Sequence, residues 1–175
     1  MIPEESLHWA AHPEKGYALV TKLPDSSIIY QDTGAPLSSD TTLYRGNPSR
    51  FQGIDDNADL PELSEATVLA NLLDRYKRDL VYTSSGLFLV AINPYRDLPA
   101  YYGEQPMEAY VNGTCNAPHI YQIVDKAYKA LLRDQQNQSI LITYFHIDLT
   151  IVGANQVQER PKTPNGPSNT SPIKA

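Results

Sequence analysis

Gly86-Leu87-Phe88-Leu89-Val90-Ala91-Ile92-Asn93 is the stretch that decides the fold. Six of its eight residues are apolar and do not alternate with polar ones, the pattern of a strand buried on both faces. Pro94 has no N–H to give to a ladder, so the strand is expected to stop there. Toward the N-terminus, Ser64 is placed to cap a helix running to about Arg78, with Val68, Leu69, Leu72, Leu73 and Tyr76 on one face. Toward the C-terminus, Pro106 opens a short helix that Gly113 closes. Pro118 stands at the first turn of a longer helix, whose apolar stripe is Ile120, Ile123, Val124, Ala127, Tyr128, Leu131 and Leu132. Asp125 and Lys129 form an i, i+4 ion pair on its wet side. Ser139–Thr143 is a further short apolar strand, so residues 64–143 read as α/β structure.

The flanks have a different character. Residues 1–50 read as short strands and turns: a strand over Gly16–Leu23, a turn at Pro24-Asp25-Ser26, a partner strand over Ser27–Gln31, and a third strand at Thr41–Tyr44. With Trp9 as anchor they predict a small β-barrel, too small to stand without a neighbour. Residues 51–63 form a polar, acidic connector. Beyond Thr143 the β-like character continues without a turn as far as Val152, fourteen residues from Ser139. After Gly153 the chain turns Gln-, Asn-, Ser- and Pro-rich and is expected to be disordered.

Composition sets bounds on function. The 175 residues carry 14 Lys plus Arg and 20 Asp plus Glu, a net charge of −6, which argues against general nucleic-acid binding. Cys115 is the only cysteine, which excludes an intramolecular disulfide and a multi-cysteine zinc site. No secretory signal and no apolar run of membrane-spanning length is visible, so the cytoplasm is the expected location and no membrane partner is expected. The four histidines have no carboxylate or thiolate cluster beside them, so no metal site is assigned. No Gly-rich phosphate loop, Gly-x-Ser-x-Gly or paired-histidine helix occurs, and no catalytic residue is assigned.

Chemistry concentrates where the buried strand ends, at Asn93-Pro94-Tyr95-Arg96-Asp97-Leu98-Pro99-Ala100-Tyr101. Ligands of α/β sheets bind beyond strand ends. Asn93 offers an amide to the edge of a heterocycle, Tyr95 and Tyr101 flat faces, and Arg96 a planar cation. An aromatic loop with an amide suits a purine base. The same residues also read as a proline-stiffened surface turn whose tyrosines pack on neighbours.

Asp59-Leu60-Pro61-Glu62-Leu63-Ser64-Glu65-Ala66-Thr67-Val68-Leu69, with Asn71-Leu72 and Arg75-Tyr76, resembles the start of a myosin motor domain. The likeness continues through Val81–Tyr95, Pro118-His119-Ile120-Tyr121, Ala127-Tyr128 and Gln138–Thr143. Trp9 and Pro13-Glu14-Lys15-Gly16-Tyr17 resemble the Src-homology-3-like barrel that precedes the motor in conventional, class II-like myosins. The resemblance implies an N-terminal barrel at 1–50, the N-terminal part of a P-loop NTPase motor domain at 51–143, and an unrelated, largely disordered tail at 144–175. It also implies that Asn93, Pro94, Tyr95 and Tyr101, with Arg96, line the adenine end of an ATP pocket.

In the family the strand matching Ser139–Thr143 runs into the phosphate loop Gly-Glu-Ser-Gly-Ala-Gly-Lys-Thr, which holds ATP and magnesium. Here Tyr144-Phe145-His146-Ile147 stands in its place. The family's activity is ATP-driven movement on actin, with light chains as partners and the cytoskeleton as location. The regions for actin and light chains are not expected in this chain, and it is expected to be inactive alone. The alternatives are a protein-interaction module, or a truncated splice product or gene model.

Overall fold

In the computed structural model, residues 7–144 and 149–156 are described, Tyr144 and 149–156 by their backbone. Residues 8–45 build a five-stranded antiparallel sheet from β1 (His8–His12), β2 (Gly16–Lys22), β3 (Ile28–Tyr30), β4 (Pro36–Leu37) and β5 (Tyr44–Arg45). Its order is β4-β3-β2-β1-β5. Strand alternation gives it two apolar faces. Ala10, Val20 and Ile28 form a closed core with Tyr30, Leu37 and Leu43 against it. Trp9 and Leu19, directly opposite one another across β1 and β2, face the other way. The expected third strand is shorter than Thr41–Tyr44 and shifted, because only Tyr44 and Arg45 reach β1.

The sheet leans on the connector and on α1 (Glu65–Lys77). Asn47 clasps the backbone of Glu62, donating from Nδ2 to its carbonyl (2.9 Å) and accepting its N–H at Oδ1 (2.7 Å). The Tyr17 hydroxyl donates to Glu65 Oε2 in the first turn of α1, at 3.0 Å. Ser64 caps α1 as expected, in a reciprocal capping box with Thr67. The buried face of α1 departs from the apolar stripe. Leu72 is buried, but so are Thr67, Asn71 and Arg75, while Leu69 and Leu73 are exposed. The 51–63 connector packs there, and its carbonyls need donors that leucine cannot supply: Asn71 reaches Ile54 and Arg75 reaches Gly53.

The second sheet comprises β6 (Tyr82–Ser85), β7 (Phe88–Ile92), β8 (Gln138–Tyr144) and β9 (Leu149–Gln156), in the order β6-β7-β9-β8. Every strand pairing in it is antiparallel. The Gly86–Asn93 run is not one strand throughout. Gly86, at φ +60°, and Leu87 make the turn of the β6–β7 hairpin, which leaves Leu87 84% exposed. The adjacent residues Leu89 and Val90 point to opposite faces and are both buried, as expected of a doubly covered strand. Val81, Tyr82 and Leu89 form the core, packed by Ala91, Leu98, Tyr101, Ile120 and Ile123. Burying Leu89 contributes about 1.5–3 kcal/mol.

β9 overturns the expectation that order ends at Gly153. Ala154, Asn155 and Gln156 pair with Ile140, Ser139 and Gln138. The fourteen-residue run from Ser139 resolves into two strands that pair with one another, and β9 also pairs with β7. Inserting it gives β7 a second hydrogen-bonded neighbour. The remainder of the expected tail, 157–175, lies outside the described residues.

α2 (Glu104–Val111) and α3 (Ile120–Asp134) complete the fold. Gly113, at φ +70°, ends the first excursion as its sequence requires. Pro118, expected in the first turn of α3, lies just before it, and His119 caps the helix, its Nδ1 accepting the Tyr121 N–H at 3.0 Å. The Asp125–Lys129 ion pair forms at 2.7 Å. Only part of the α3 stripe is covered: Ala127 is buried and Ile120 and Ile123 are half-buried, while Val124, Tyr128, Leu131 and Leu132 face outward. Among the described residues no helix is long and apolar enough to cross a membrane.

Candidate functional site: the loop after β7

β7 delivers Asn93 and Pro94 to the surface, where the chain turns sharply. Asn93 Oδ1 accepts the Tyr95 N–H at 2.9 Å, an Asx turn. Tyr95 comes next in the left-handed region, φ +53°, and is 70% exposed. Arg96 turns back to an ion pair with Asp79, whose carboxylate holds the guanidinium pKa above its ordinary value. A short 3-10 turn at Pro99–Tyr101 then leads to Gly103 and α2.

Asp79 anchors both ends of this loop, and nothing in the local sequence around the loop points to it. Its side chain pairs with Arg96, and its carbonyl accepts the Tyr101 hydroxyl at 2.6 Å. It sits at φ +62° in the turn that ends α1. The signal available in the sequence is its place after Arg78, where a helix stops and an Asp tolerates the left-handed conformation.

The candidate residues do not all share one surface. Asn93, Pro94 and Arg96 line an open cleft of about 460 Å³ with Asp97, Leu98 and Tyr102. That volume falls in the range of small-molecule sites. Tyr101 instead turns inward and packs on the Val81–Tyr82–Leu89 core. Tyr95 projects outward from the loop and is not among the residues lining the cleft. Tyr102 takes the aromatic place beside the cleft, its hydroxyl 3.0 Å from that of Tyr82.

Behind the loop lies a cluster of tyrosines around His119, a residue to which the sequence reading assigns no site role. Ring centroids of Tyr82, Tyr101, Tyr102, Tyr110 and Tyr121 stand 4.5–5.8 Å from that of His119. The imidazole is buried, and burial pushes its pKa down while the Tyr101 backbone acts in the opposite sense. Burial raises the phenol pKa values of Tyr82, Tyr101 and Tyr110. Burial therefore favours the neutral forms of Tyr82, Tyr101, Tyr110 and His119, and the cluster acts as packing that backs the loop. Among the described residues no group of three or more His, Cys, Asp or Glu is placed to hold a metal ion.

A family model for the myosin head (motor domain) matches residues 54–144, just over half of the chain. The chain is 38% identical over 130 residues to Myosin-3 of Arabidopsis thaliana, covering 74% of this chain and 11% of that protein. It is 43% identical over 128 residues to Myosin-1 of the same plant, covering 73% and 10%. It is 37% identical over 142 residues to Myosin-H heavy chain of Dictyostelium discoideum, covering 77% and 8%. The chain thus spans about a tenth of the length of these relatives. The order of blocks from the α1 cap to β8 and the family match over that same region lead to one conclusion: this chain belongs to the myosin head (motor domain) family.

Proposed function

We propose that this chain forms the leading part of a myosin motor and does not by itself hydrolyse ATP. In this reading residues 1–50 are the Src-homology-3-like barrel and 51–143 the start of the P-loop NTPase fold. Asn93, Pro94, Tyr95, Arg96 and Tyr101 belong to the adenine end of the nucleotide site. ATP, magnesium, actin, light chains and a cytoskeletal location belong to the whole motor of the family.

One observation carries the reading: the course of the chain after β8. In the family the corresponding strand enters a phosphate loop whose amides and lysine hold the phosphates and whose threonine ligates magnesium. Here Tyr144-Phe145-His146-Ile147 occupies that place, and the chain returns as β9 to pair with β8. No glycine-rich amide cradle and no lysine stands at that point, so the residues present do not fit a magnesium-bound triphosphate. That point of the sequence offers no lysine to charge developing on a transferred phosphoryl, and such partners supply most of the catalysis in phosphoryl transfer. The base end of the site is left, and base contacts alone bind weakly.

Single-turnover assays of the purified chain with ATP and magnesium are expected to show no hydrolysis, with or without actin filaments. Turnover that stays with the chain through successive purification steps sinks the reading. Titration with adenosine, monitored by NMR, is expected to move the amides of residues 93, 95, 96 and 101. Shifts confined to other regions count against the base site. A second reading, a protein-interaction module, is favoured by the outward apolar residues of α3. A pull-down that retains no specific partner tells against it.

A further inference from the structure

Asp79 anchors the 93–102 loop through Arg96 and the Tyr101 hydroxyl, and a second anchor stands at the start of α3. His119 Nδ1 accepts the Tyr121 N–H at 3.0 Å, and the Tyr121 hydroxyl accepts the Gly103 N–H at 3.3 Å. An imidazole that accepts at Nδ1 is neutral and carries its proton on Nε2. That Nε2 is buried and has no hydrogen-bond partner among the described residues. The backbone of Tyr101 adjoins the ring and favours its protonated form, as a carbonyl does and an N–H does not. The Tyr101 ring stacks on the imidazole, with 28° between planes and 5.8 Å between centroids. Tyr102, joined to Tyr101 by that carbonyl, lines the cleft with Asn93, Pro94 and Arg96.

A buried N–H without an acceptor is costly, so a small loop movement that brings the Tyr101 carbonyl to it is favoured. An occupant of the cleft touches Tyr102 and so acts on the same peptide unit. We propose that His119 is a positioning residue for the base end of the site: its Nε2–H closes on the Tyr101 carbonyl when a base occupies the cleft, and fixes Tyr102 against that base. The inference rests on the base-site reading given above.

Protonation works against this bond. A second proton enters at Nδ1, where it opposes the Tyr121 N–H, so the ring must leave the cap and takes Nε2 with it. The groups facing the ring are phenols: Tyr82 of β6, Tyr101 and Tyr102 of the loop, Tyr110 of α2 and Tyr121 of α3. Charged neighbours act on two of these phenols, Arg75 and Asp79 on Tyr101 and Asp55 on Tyr110. Phenols compensate a buried imidazolium poorly, so base binding favours the neutral ring.

The full 175-residue chain is titrated with adenosine and followed by NMR of the loop amides and of the His119 imidazole. The Nε2–H signal is expected to move downfield as the bond closes, a change that packing alone would not produce. Bound adenosine is expected to lower the pH at which the imidazole titrates, because the occupied loop holds the neutral ring. His119→Asn keeps an acceptor for the Tyr121 N–H but has no donor at the place of Nε2. It is expected to weaken adenosine binding roughly three- to tenfold and to remove its pH dependence. Adenosine that moves the loop amides but leaves Nε2–H and its titration unchanged overturns the positioning role and leaves the base site standing. So does full affinity in a folded His119→Asn chain. Adenosine that moves no loop amide overturns the base site and the positioning role together. If His119→Asn fails to fold, the Nε2–H signal of the unaltered chain decides.

Discussion

Arg75 and Asp55 form an ion pair in which only the cation is buried: the Arg75 side chain is 3% exposed and that of Asp55 65%, with Nη1 to Oδ1 at 2.7 Å. The other guanidinium donors are spent on neutral acceptors. Nε reaches Thr83 Oγ1 at 2.9 Å, Nη1 the Gly53 carbonyl at 2.9 Å and Nη2 the Tyr82 carbonyl at 2.8 Å. One side chain therefore fastens the connector, α1 and β6 together. The planar fork of arginine suits this; a lysine ammonium offers no such geometry.

The two ends of this pair are expected to respond unequally to mutation. Arg75→Met strands two carbonyls and a hydroxyl and is expected to cost about 3–5 kcal/mol. At roughly 2–4 °C per kcal/mol for a chain of this size, the thermal midpoint falls by about 6–20 °C. Asp55→Asn touches an exposed carboxylate and is expected to cost under about 1 kcal/mol. Thermal melts of both variants check this, and equal losses would sink the claim that the buried network outweighs the charge pair.

That network also marks a limit of legibility. The N-terminal hairpin, the Ser64 cap and the helix carrying Ile120–Leu132 stem from local propensity and periodicity and are where the residues place them, while α2 starts at Glu104, two residues before Pro106. Asn71 and Arg75 look like surface residues on a helical wheel. They are buried because distant connector carbonyls need them, a tertiary requirement that periodicity does not contain. β9 is hidden for a similar reason. Gly153 through Gln156 are poor strand formers, but backbone pairing to β8 and β7 is indifferent to that composition. At the loop after β7, the aromatic and amide residues are readable. Which tyrosine turns inward is not, since the Asp79 carbonyl that holds Tyr101 lies 22 residues away.

His119 is expected to make stability fall in mild acid. Its folded pKa is depressed by burial below the ordinary value of about 6.5, so the unfolded chain takes up the proton first as pH falls. The stabilisation is complete above about pH 6.5 and is lost as pH drops toward the folded value. Asp25, Asp32, Asp40 and Asp134 have pKa values below the ordinary carboxylate range and do not titrate in this interval. The midpoint is therefore expected to be lower at about pH 5.5 than at about pH 7.5. His119→Asn keeps a capping acceptor for Tyr121 N–H, so it is expected to lower both midpoints but narrow the gap between them. An unchanged gap assigns the pH dependence elsewhere.

Gly53 is expected to tolerate substitution less well than Gly34, although both have positive φ, +67° and +69°. A Cβ at Gly34 meets nothing within 4 Å, so Gly34→Ala carries only the backbone cost of about 1–2 kcal/mol. At Gly53 the Cβ falls onto the Arg78 guanidinium and beside Asp74, which are paired with one another, and the Gly53 carbonyl is an Arg75 acceptor. Gly53→Ala must displace Arg78 and strain the connector at the point where Arg75 holds it. The check is a comparison of denaturant midpoints for the two variants. If Gly53→Ala is no worse than Gly34→Ala, Arg78 moves aside without cost and the connector is not held rigidly there.

The outer strand of the second sheet is expected to govern solubility. Among the described residues β8 pairs with β9 alone, and Gln135–Tyr144 contains no charge or proline to blunt an edge. Leu141 is 62% exposed and Leu132 on α3 is 60% exposed, with Ile140 and Ile142 also outward. An apolar, uncharged edge strand of this kind is a template for pairing between chains. The chain is expected to self-associate as its concentration rises and to bind a hydrophobic dye while folded. Leu141→Lys places a charge on the strand where burial is slight, so its cost to stability is expected to stay within about 0.5 kcal/mol. It is expected to raise the concentration at which light scattering begins, and Leu132→Lys to reduce dye binding. Scattering that begins at the same concentration with and without Leu141→Lys would show that association runs through another surface.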